Sequence, residues 1–320
     1  MTTNPVPRGL VAPILTPFNA DGTIAQDLYN ALAHRLLGGG CVALAPFGTT
    51  GEALSIGIDE RIAALDALIA DGVDPARMIP GTGLTNIADT ARLSIACLER
   101  GCAGIMVLPP FYYKSVPDDG LIGYFSDLIK AIGRPDPNIY LYHIPQVAGV
   151  GIPVAVVRTL RERFPREIVG IKDSSGNWDN TSALLDIDGL IVYPGSELPL
   201  LEALERGAHG CISATGNLNA AAVAKIISLY DAGDIAGARE AYEAAKSFRL
   251  IMTEFGPIPS QKMMLAASTG DMRWMNLRPP LLPLGKEKAA ELTERLRAET
   301  AFGLAAEQGF RAIFTRASSK

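Results

Sequence analysis

The stretch Ile168-Val169-Gly170-Ile171-Lys172-Asp173-Ser174-Ser175-Gly176 joins a short apolar run to a lysine and a polar turn. Its β-branched residues predict a buried strand, which the Ser/Ser/Gly sequence then ends. A lysine at the end of such a strand loses hydration, and desolvation favours the neutral, nucleophilic amine. Enzymes that form a Schiff base use lysine in this form. The stretch alone leaves one alternative, a lysine that reaches solvent or pairs with Asp173.

Similar apolar runs alternate along the chain with segments whose apolar residues recur at helical spacing. The eight runs are Leu10–Leu15, Cys41–Pro46, Met78–Gly81, Gly104–Leu108, Ile139–Tyr142, Ile168–Lys172, Leu190–Tyr193 and Gly210–Ser213. Strand–helix alternation predicts an α/β fold with a parallel sheet, and eight repeats predict a closed (β/α)₈ TIM barrel. The alternative is an open doubly wound sheet. That fold typically carries a glycine-rich phosphate motif after the first strand, which Leu10–Pro17 lacks.

The alternation stops near Asp234. From there the pattern predicts helices alone, over Ile235–Met252, Ser260–Ala267 and Lys286–Ala301. We therefore predict a barrel over residues 1–233 and a C-terminal helical extension over residues 234–320. No linker separates them, so we expect the extension to pack against the barrel.

Composition excludes several classes of protein. The 320 residues carry a net charge of −5 without a basic run, which argues against nucleic-acid binding. No apolar segment reaches membrane-spanning length and the N-terminus has no signal core, so we predict a cytoplasmic protein. The four cysteines form no CxxC pair and only three histidines are present. The sequence therefore predicts no metal, no disulfide and no cofactor.

Polar residues follow the apolar runs at the end where a barrel places its active site. Gly48-Thr49-Thr50-Gly51 could offer amides and hydroxyls to a small anion, or could be only a turn. Tyr142 could exchange protons beside Lys172, or could be a core tyrosine with a satisfied hydroxyl. Its neighbour His143 should point away from the barrel axis, because strand residues alternate, and we interpret it as structural.

Three of these motifs resemble those of a known family. Gly48-Thr49-Thr50-Gly51-Glu52, Tyr142-x-x-Pro145 and Gly170-Ile171-Lys172-Asp173 occur in the order and spacing of the dihydrodipicolinate synthase/N-acetylneuraminate lyase family. The resemblance covers nearly the whole chain, including Pro257-Ile258-Pro259 in the helical tail. It implies a (β/α)₈ barrel with class I aldolase chemistry on pyruvate, a 2-oxo acid substrate, and a homotetramer built as a dimer of dimers.

The resemblance also implies roles for individual residues. Lys172 would form the Schiff base and Tyr142 would relay protons. Thr49 and Thr50 would hold the pyruvate carboxylate, with Thr49 also linking the tyrosine hydroxyls. Tyr112 would be the aromatic residue that a neighbouring subunit inserts near the relay, with Tyr113 as the alternative. The further residues expected at the substrate site are Gly48, Val147, Gly195, Glu197 and Ile212.

Two departures from the family pattern bear on the substrate. Val147 stands where the synthases carry an arginine for the carboxylate of the aldehyde partner, and hydrocarbon cannot pair with a carboxylate. Glu197-Leu198 replaces the Asp-Glu pair of the sialic-acid lyases, so one contact to a sugar tail is kept. We therefore expect an aldolase for a neutral-tailed sugar acid or aromatic 2-oxo acid, unless Lys114 or Arg278 compensates for the missing arginine.

Three alternatives remain open at this stage. The first is the dihydrodipicolinate (4-hydroxy-tetrahydrodipicolinate) synthase reaction itself. The second is a dehydratase or hydratase that works through the same Schiff base. The third is a non-catalytic sensor on the same barrel, since a fold does not fix a function.

Overall fold

Parallel strands form the centre of the computed structural model, which describes residues 7–298. The strands are β1 (Gly9–Ala12), β2 (Cys41–Leu44), β3 (Ile105–Val107), β4 (Ile139–His143), β5 (Ile168–Asp173), β6 (Ile191–Pro194) and β7 (Gly210–Ile212). Hydrogen bonding orders them as β2-β1-β7 in one group and β3-β4-β5-β6 in another. All their pairings are parallel, as the alternating sequence pattern predicted.

The third apolar run, Met78–Gly81, lies between β2 and β3 but forms no continuous strand. Single parallel bridges join Met78 to Leu44 and Gly81 to Met106. Pro80 has no N–H to donate, so a regular ladder is interrupted there. On the other side, the His209 N–H donates to the Val192 carbonyl at 3.0 Å, next to the start of β7. The ring is thus the closed barrel that the sequence predicted.

Helices follow the strands and then continue alone. The α-helices of the described chain are α1 (Gln26–Gly38), α2 (Ile58–Ala70), α3 (Ile87–Glu99), α4 (Asp118–Ile132), α5 (Pro145–Ala148), α6 (Val154–Arg163), α7 (Trp178–Leu185), α8 (Leu200–Glu205), α9 (Gly216–Asp231), α10 (Ile235–Glu254), α11 (Pro257–Thr269) and α12 (Lys286–Ala298). The last three cover the predicted extension, although residues 299–301 of its last predicted helix lie outside the described residues. The division at residue 233 into barrel and extension stays a prediction.

The barrel interior is a small cluster of buried side chains from several strands. It includes Val11 on β1, Ala43 on β2, Met106 on β3 and Tyr140 on β4. Gly170 on β5 makes room for this packing. A Cβ there would lie 2.8 Å from the Tyr140 ring and 2.7 Å from the Ile191 carbonyl oxygen. The sequence Ile-Val-Gly-Ile therefore carries its glycine where the interior has no further space.

A buried ion pair attaches the helical extension to the turn after β2. The ammonium of Lys262 on α11 donates to the Glu52 carboxylate and, at 2.9 Å, to the Asn276 carbonyl. The main-chain N–H of Arg278 also donates to the Glu52 carboxylate, at 3.1 Å. Both side chains of the pair are fully buried. Removing one partner of such a pair leaves an uncompensated charge, so the extension and the turn are held together.

Three further features of the described residues bear on membrane spanning, disulfide bonding and metal binding. Within residues 7–298, no helix is long and apolar enough to cross a membrane. The four cysteines are buried and unpaired. Among the same described residues, no three or more His, Cys, Asp or Glu side chains lie close enough together to bind a metal ion. The cytoplasmic location stays a prediction.

Candidate active site

Lys172 projects from the end of β5 beside the neighbouring strand β4. It is only 3% exposed, and it pairs in register with Tyr142. Its Nζ lies 4.3 Å from the centre of the Tyr142 ring, a distance at which an ammonium is attracted to the ring face. The amine therefore has an aromatic neighbour on one side and a cavity on the other.

Asp173 does not neutralise this lysine. Its carboxylate accepts hydrogen bonds from the Ser175 N–H at 2.9 Å, the Asn180 side-chain amide at 3.0 Å and the Thr181 hydroxyl at 2.7 Å. Successive strand residues face opposite sides, so Lys172 and Asp173 diverge. The alternative in which Lys172 pairs with Asp173 is therefore wrong for this structure.

A hydrogen-bonded pair of hydroxyls lies next to the lysine. The Tyr142 hydroxyl is 3.2 Å from Thr49 Oγ1, and either oxygen can be the donor. Tyr142 is 3% exposed, and both residues line the cavity that contains Lys172. Two hydroxyls in contact can pass a proton from one to the other, which is what a relay near an imine requires.

The turn that carries the threonines has a strained backbone. Phe47 and Glu52 flank it with φ of 58° and 56°, a left-handed conformation that non-glycine residues seldom adopt. Internal hydrogen bonds of the turn use the amides of Gly51 and Glu52. They do not use the amides of Thr49 and Thr50. The N–H groups of Thr49 and Thr50 are therefore available to an anion. The sequence analysis had suggested the N–H groups of the whole turn Gly48-Thr49-Thr50-Gly51.

Two adjoining cavities open at this end of the barrel. The larger has a volume of about 550 Å³ and is called here the polar cavity; it contains Lys172. Its other hydrophilic lining residues include Thr49, Thr50, Ser174, Ser175, Asn177 and Ser196. The smaller, of about 330 Å³, is the apolar cavity, lined by residues such as Phe47, Leu54, Met106, Phe111 and Ile258. The two share Thr49, Tyr142, Ile144 and Val147, so the hydroxyl pair stands between them.

Gly195 lies at the wall of the polar cavity, as expected, whereas Gly48 lines the apolar one. Any side chain at Gly195 would collide with Ser174, since a Cβ would lie 2.0 Å from its hydroxyl oxygen. The glycine therefore lets the loops after β5 and β6 approach each other, with the Gly195 N–H donating to the Asp173 carbonyl at 2.6 Å. Gly195 therefore contributes to the shape of the cavity wall because it has no side chain.

Two predicted substrate contacts require correction. Glu197 is fully buried, and the hydroxyls of Ser213 and Thr215 donate to its two carboxylate oxygens. It faces neither cavity, whereas its neighbours Ser196 and Leu198 line the polar one. Ile212 on β7 is also fully buried, belongs to the cluster of the barrel interior and lines neither cavity. A buried carboxylate needs donors, and the nearby hydroxyls supply them in place of a sugar.

The exposed residues of the rim fall outside the site or at its border. Tyr112 and Tyr113 are each 74% exposed and line neither cavity of this chain. Val147 on α5 is 62% exposed and lines both cavities, so a hydrocarbon side chain does lie at the border between them.

His143 at the end of β4 is buried, and its Nδ1 accepts a hydrogen bond from the Ile152 N–H at 2.8 Å. Burial lowers its pKa, with Asp173 acting in opposition, and this placement agrees with a structural role.

Neither cation proposed as a substitute for the missing arginine reaches the polar cavity. The Lys114 ammonium donates to the carbonyls of Phe111 and Ala148. The Arg278 guanidinium donates to the Glu60 carboxylate and to the carbonyls of Gly22 and Ser55. Within residues 7–298, the cationic side chains that line the polar cavity are those of Lys172 and Arg249. Arg249 lies on α10 and was missed in the sequence analysis.

A parallel (β/α)₈ barrel with a lysine, a tyrosine and a threonine pair at the carboxyl ends of its strands defines a class I, Schiff-base aldolase or lyase. A comparison with known families agrees. The model of the dihydrodipicolinate synthetase family matches residues 6–299, and the chain belongs to this family. It is thus a pyruvate-type carbon–carbon lyase that works through a lysine Schiff base.

Individual relatives support the same placement. An uncharacterized DapA-like lyase of Chloroflexus aurantiacus is 34% identical over 92% of this chain and 98% of its own. A dihydrodipicolinate synthase structure from Agrobacterium tumefaciens is 34% identical, covers 91% of this chain and 99% of its own, and superposes with a TM-score of 0.83. YagE from E. coli K12, solved in complex with pyruvate, is 26% identical and also has a TM-score of 0.83, over 91% and 98% of the two chains.

Proposed function

We propose that this protein cleaves a 2-oxo acid with a hydroxylated tail, of the 2-keto-3-deoxy sugar acid type, to pyruvate and an aldehyde. The observation that carries the proposal is the polar cavity around Lys172. Its hydroxyl and amide side chains offer donors and acceptors to a chain of substrate hydroxyls, which a hydrocarbon wall could not provide. The reacting carbon and the tail would then occupy one continuous space.

In this proposal the 2-oxo acid binds with its carboxylate on the turn after β2. The amides of Thr49 and Thr50 are free of internal hydrogen bonds of that turn, and the Thr50 hydroxyl lies beside them. Two amides and a hydroxyl suit a carboxylate. The carbonyl carbon would then lie near Lys172 Nζ, because both residues line the same cavity. Positioning of this kind lowers the barrier substantially.

The chemistry then follows from the lysine. Its neutral amine attacks the C2 carbonyl carbon to give a carbinolamine, and loss of water gives an iminium ion. The C4 hydroxyl loses its proton as the C3–C4 bond breaks, and the bonding electrons pass into the iminium to form an enamine. Protonation of C3 and hydrolysis release pyruvate and the free lysine. Tyr142 is proposed to carry the protons, with Thr49 as its hydrogen-bonded partner.

The apolar cavity supports a second candidate, an aldolase for an aromatic 2-oxo acid. It adjoins the polar cavity at Tyr142 and Thr49, and its volume of about 330 Å³ is sufficient for an aromatic ring. In that case the tail would turn past Val147 and away from the hydroxyl-bearing wall. Lys172 lines the polar cavity and not the apolar one, which is why the hydroxylated tail is preferred.

A panel of substrates tests the proposal through kcat/KM and released pyruvate. We expect a 2-keto-3-deoxy sugar acid to exceed both an aromatic 2-oxo acid and the condensation of pyruvate with aspartate semialdehyde. The semialdehyde should be more than about tenfold poorer, since Val147 offers no charge-assisted hydrogen bond. A clear preference for the aromatic acid would indicate that the substrate tail binds in the apolar cavity. A clear preference for the semialdehyde would identify a synthase, and loss of water without pyruvate a dehydratase.

We propose also that the protein assembles as a homotetramer in which Tyr112 of one subunit reaches the relay of its neighbour. Tyr112 and Tyr113 support this, because large aromatic rings exposed together are typical of protein interfaces. Their rings contact edge to face, with centres 5.4 Å apart. Light scattering should give a tetramer mass, and Tyr112→Phe should lower kcat while Tyr113→Phe should not. A fully active monomer would contradict this assembly, and the reverse effect of the two substitutions would exchange the two tyrosines.

A further inference from the structure

The buried ion pair of Glu52 and Lys262 joins the helical extension to the end of the turn that carries the threonines. The Glu52 carboxylate accepts hydrogen bonds from the Lys262 ammonium and, at 3.1 Å, from the main-chain N–H of Arg278. Neither side chain of the pair is exposed. Among residues 7–298, the hydrogen bonds to this carboxylate therefore all come from the extension.

The segment that follows β1 fixes the cations of the extension in place. The Lys262 Nζ lies 4.5 Å from the centre of the Phe18 ring, and the central guanidinium carbon of Arg278 lies 4.7 Å from it. At these distances both cations are attracted to the ring face. The same segment contacts the turn directly, because the Thr16 hydroxyl donates to the Gly51 carbonyl at 2.8 Å. The extension, this segment and the turn thus form one connected unit.

The backbone of Glu52 links this unit to the threonine amides. Glu52 has φ 56° and ψ 34°, in the left-handed region, and a residue other than glycine stays there only when its surroundings fix it. Its N–H donates to the Thr49 carbonyl at 3.1 Å. The Thr49 carbonyl belongs to the same peptide group as the Thr50 N–H. A rotation of the Glu52 backbone would therefore reorient an amide that is available to an anion.

We propose that Glu52 and Lys262 are positioning residues for substrate binding. Their ion pair holds Glu52 in the left-handed conformation, and Glu52 in turn holds the amides of Thr49 and Thr50 toward the carboxylate of the 2-oxo acid. The pair acts through the turn, because Lys262 lines neither cavity and Glu52 does not line the polar one. The inference rests on the proposed function for the position of that carboxylate.

The energetics of buried ion pairs favour a geometric role. Replacement of such a pair by apolar residues of similar volume is often neutral or stabilising, so a gain in stability does not explain its presence. What the pair supplies here is direction: a carboxylate bonded from the extension fixes the side chain of a residue in a strained conformation. The extension would then contribute to recognition of the substrate through the barrel turn that it contacts.

The experiment compares a ketone that carries a carboxylate with one that does not. Pyruvate and hydroxyacetone are each titrated against the enzyme in the presence of borohydride, which reduces the iminium ion on Lys172 to a stable secondary amine. The mass of the protein gives a half-saturating concentration and a final amount of adduct for each ketone. We expect pyruvate to half-saturate the wild-type protein at about a tenth or less of the hydroxyacetone concentration, since only pyruvate accepts charge-assisted hydrogen bonds from the amides.

Two double variants test how the pair acts. Glu52→Leu with Lys262→Met replaces it by apolar residues and leaves no buried charge unpaired. We expect half-saturation by pyruvate to need about tenfold more ketone, with hydroxyacetone and the final amount of adduct unchanged. Glu52→Gly with Lys262→Met also lacks the pair, but glycine adopts a positive φ without side-chain strain. This variant should recover much of the binding of pyruvate.

Two single variants complete the set. Asp27→Asn is the matched control, because it removes a largely exposed ion pair with Arg273 that also joins the extension to the barrel but does not contact the turn. Both ketones should label it as they label the wild-type protein. Glu52→Gln keeps the size of the side chain and removes its charge, so it tests the pair even if the double variants do not fold. It should weaken the binding of pyruvate severalfold and leave that of hydroxyacetone unchanged.

The outcomes separate this inference from the proposed function. Equal half-saturation of the wild-type protein by the two ketones would contradict the carboxylate position in the proposed function, and the inference with it. A wild-type preference for pyruvate that persists in the Leu/Met and Gln variants would overturn the inference alone. Equal weakening of both ketones would also overturn it, because a general loss of structure has that effect. A Gly/Met variant as weak as the Leu/Met variant would exclude action through the Glu52 backbone.

Discussion

Lys172→Ala is expected to abolish turnover and to remove the only site at which the protein is covalently labelled by pyruvate and borohydride. The alanine variant has no amine from which to form the iminium, so no electron-accepting group remains. We expect a loss on the order of 10⁴-fold or more, the scale of effect seen when an enzyme loses its nucleophile. Peptide mapping of the wild-type protein should find one pyruvate-derived mass, on the peptide that contains Lys172.

The labelling experiment also separates two buried lysines. Burial lowers the pKa of Lys262 to about 8, and Glu52 opposes this shift. A lowered pKa is often taken as a mark of a functional lysine, and on that ground Lys262 would be chosen. Geometry excludes it, because its ammonium is bonded to Glu52 and Asn276 and lines neither cavity. Label on Lys262, or undiminished labelling of Lys172→Ala, would contradict our assignment.

A matched control addresses the loss of a cation as such. Lys114→Ala removes an ammonium that bonds main-chain carbonyls at the rim and does not enter either cavity. This variant should label and turn over normally. Circular dichroism of both variants before labelling would exclude unfolding as the cause of any loss.

The barrel could be predicted because each strand is a short apolar run between helical segments. The run Ile168–Lys172 corresponds to β5, Ile168–Asp173, within one residue. Met78–Gly81 shows the limit of the method: its composition is that of a strand, but Pro80 prevents the ladder. The short helices α5 and α8, of four and six residues, span too few turns to produce a helical period.

Some residues of the candidate site could also be predicted from the sequence, and others could not. Lys172, Tyr142 and Thr49 could be brought together on paper because the carboxyl ends of all barrel strands meet at one rim. Glu197 follows a strand too, yet its loop turns the carboxylate toward Ser213 and Thr215. Spacing along the chain does not say which way a loop side chain turns. Hydrogen-bond donors elsewhere in the fold decide it.

Arg249 was missed for a different reason. It comes from a helix that no barrel argument places at the rim. Lys172, which lines the same cavity, is 77 residues away in sequence (249 minus 172). A signal did exist: Arg249 follows the buried Phe248 and stands four residues after the buried Ala245, at the edge of the apolar face of α10. A charged residue at helical spacing from a buried face indicates a position that needs a partner.

Tyr142→Phe is the sharper test of the proton relay, because it removes one oxygen and little else. The aromatic ring stays, and with it the contact to Lys172 Nζ at 4.3 Å from the ring centre. The hydrogen bond to Thr49 Oγ1 is lost. Positioned acid–base groups contribute about 10²–10⁴-fold, so we expect kcat to fall by that factor while the protein stays folded. Steady-state kinetics with the best substrate of the panel measures it.

The strand itself provides the control for Tyr142→Phe. Tyr140 lies two residues earlier on β4, is fully buried and lines neither cavity, so Tyr140→Phe should keep nearly all activity. Single-turnover trapping adds a second readout. If Tyr142 moves protons, the pyruvate adduct should form slowly in Tyr142→Phe yet reach the wild-type amount, because Lys172 is intact. A rate close to wild type in both variants would mean that Tyr142 only packs against the lysine, and the relay would have to be sought elsewhere.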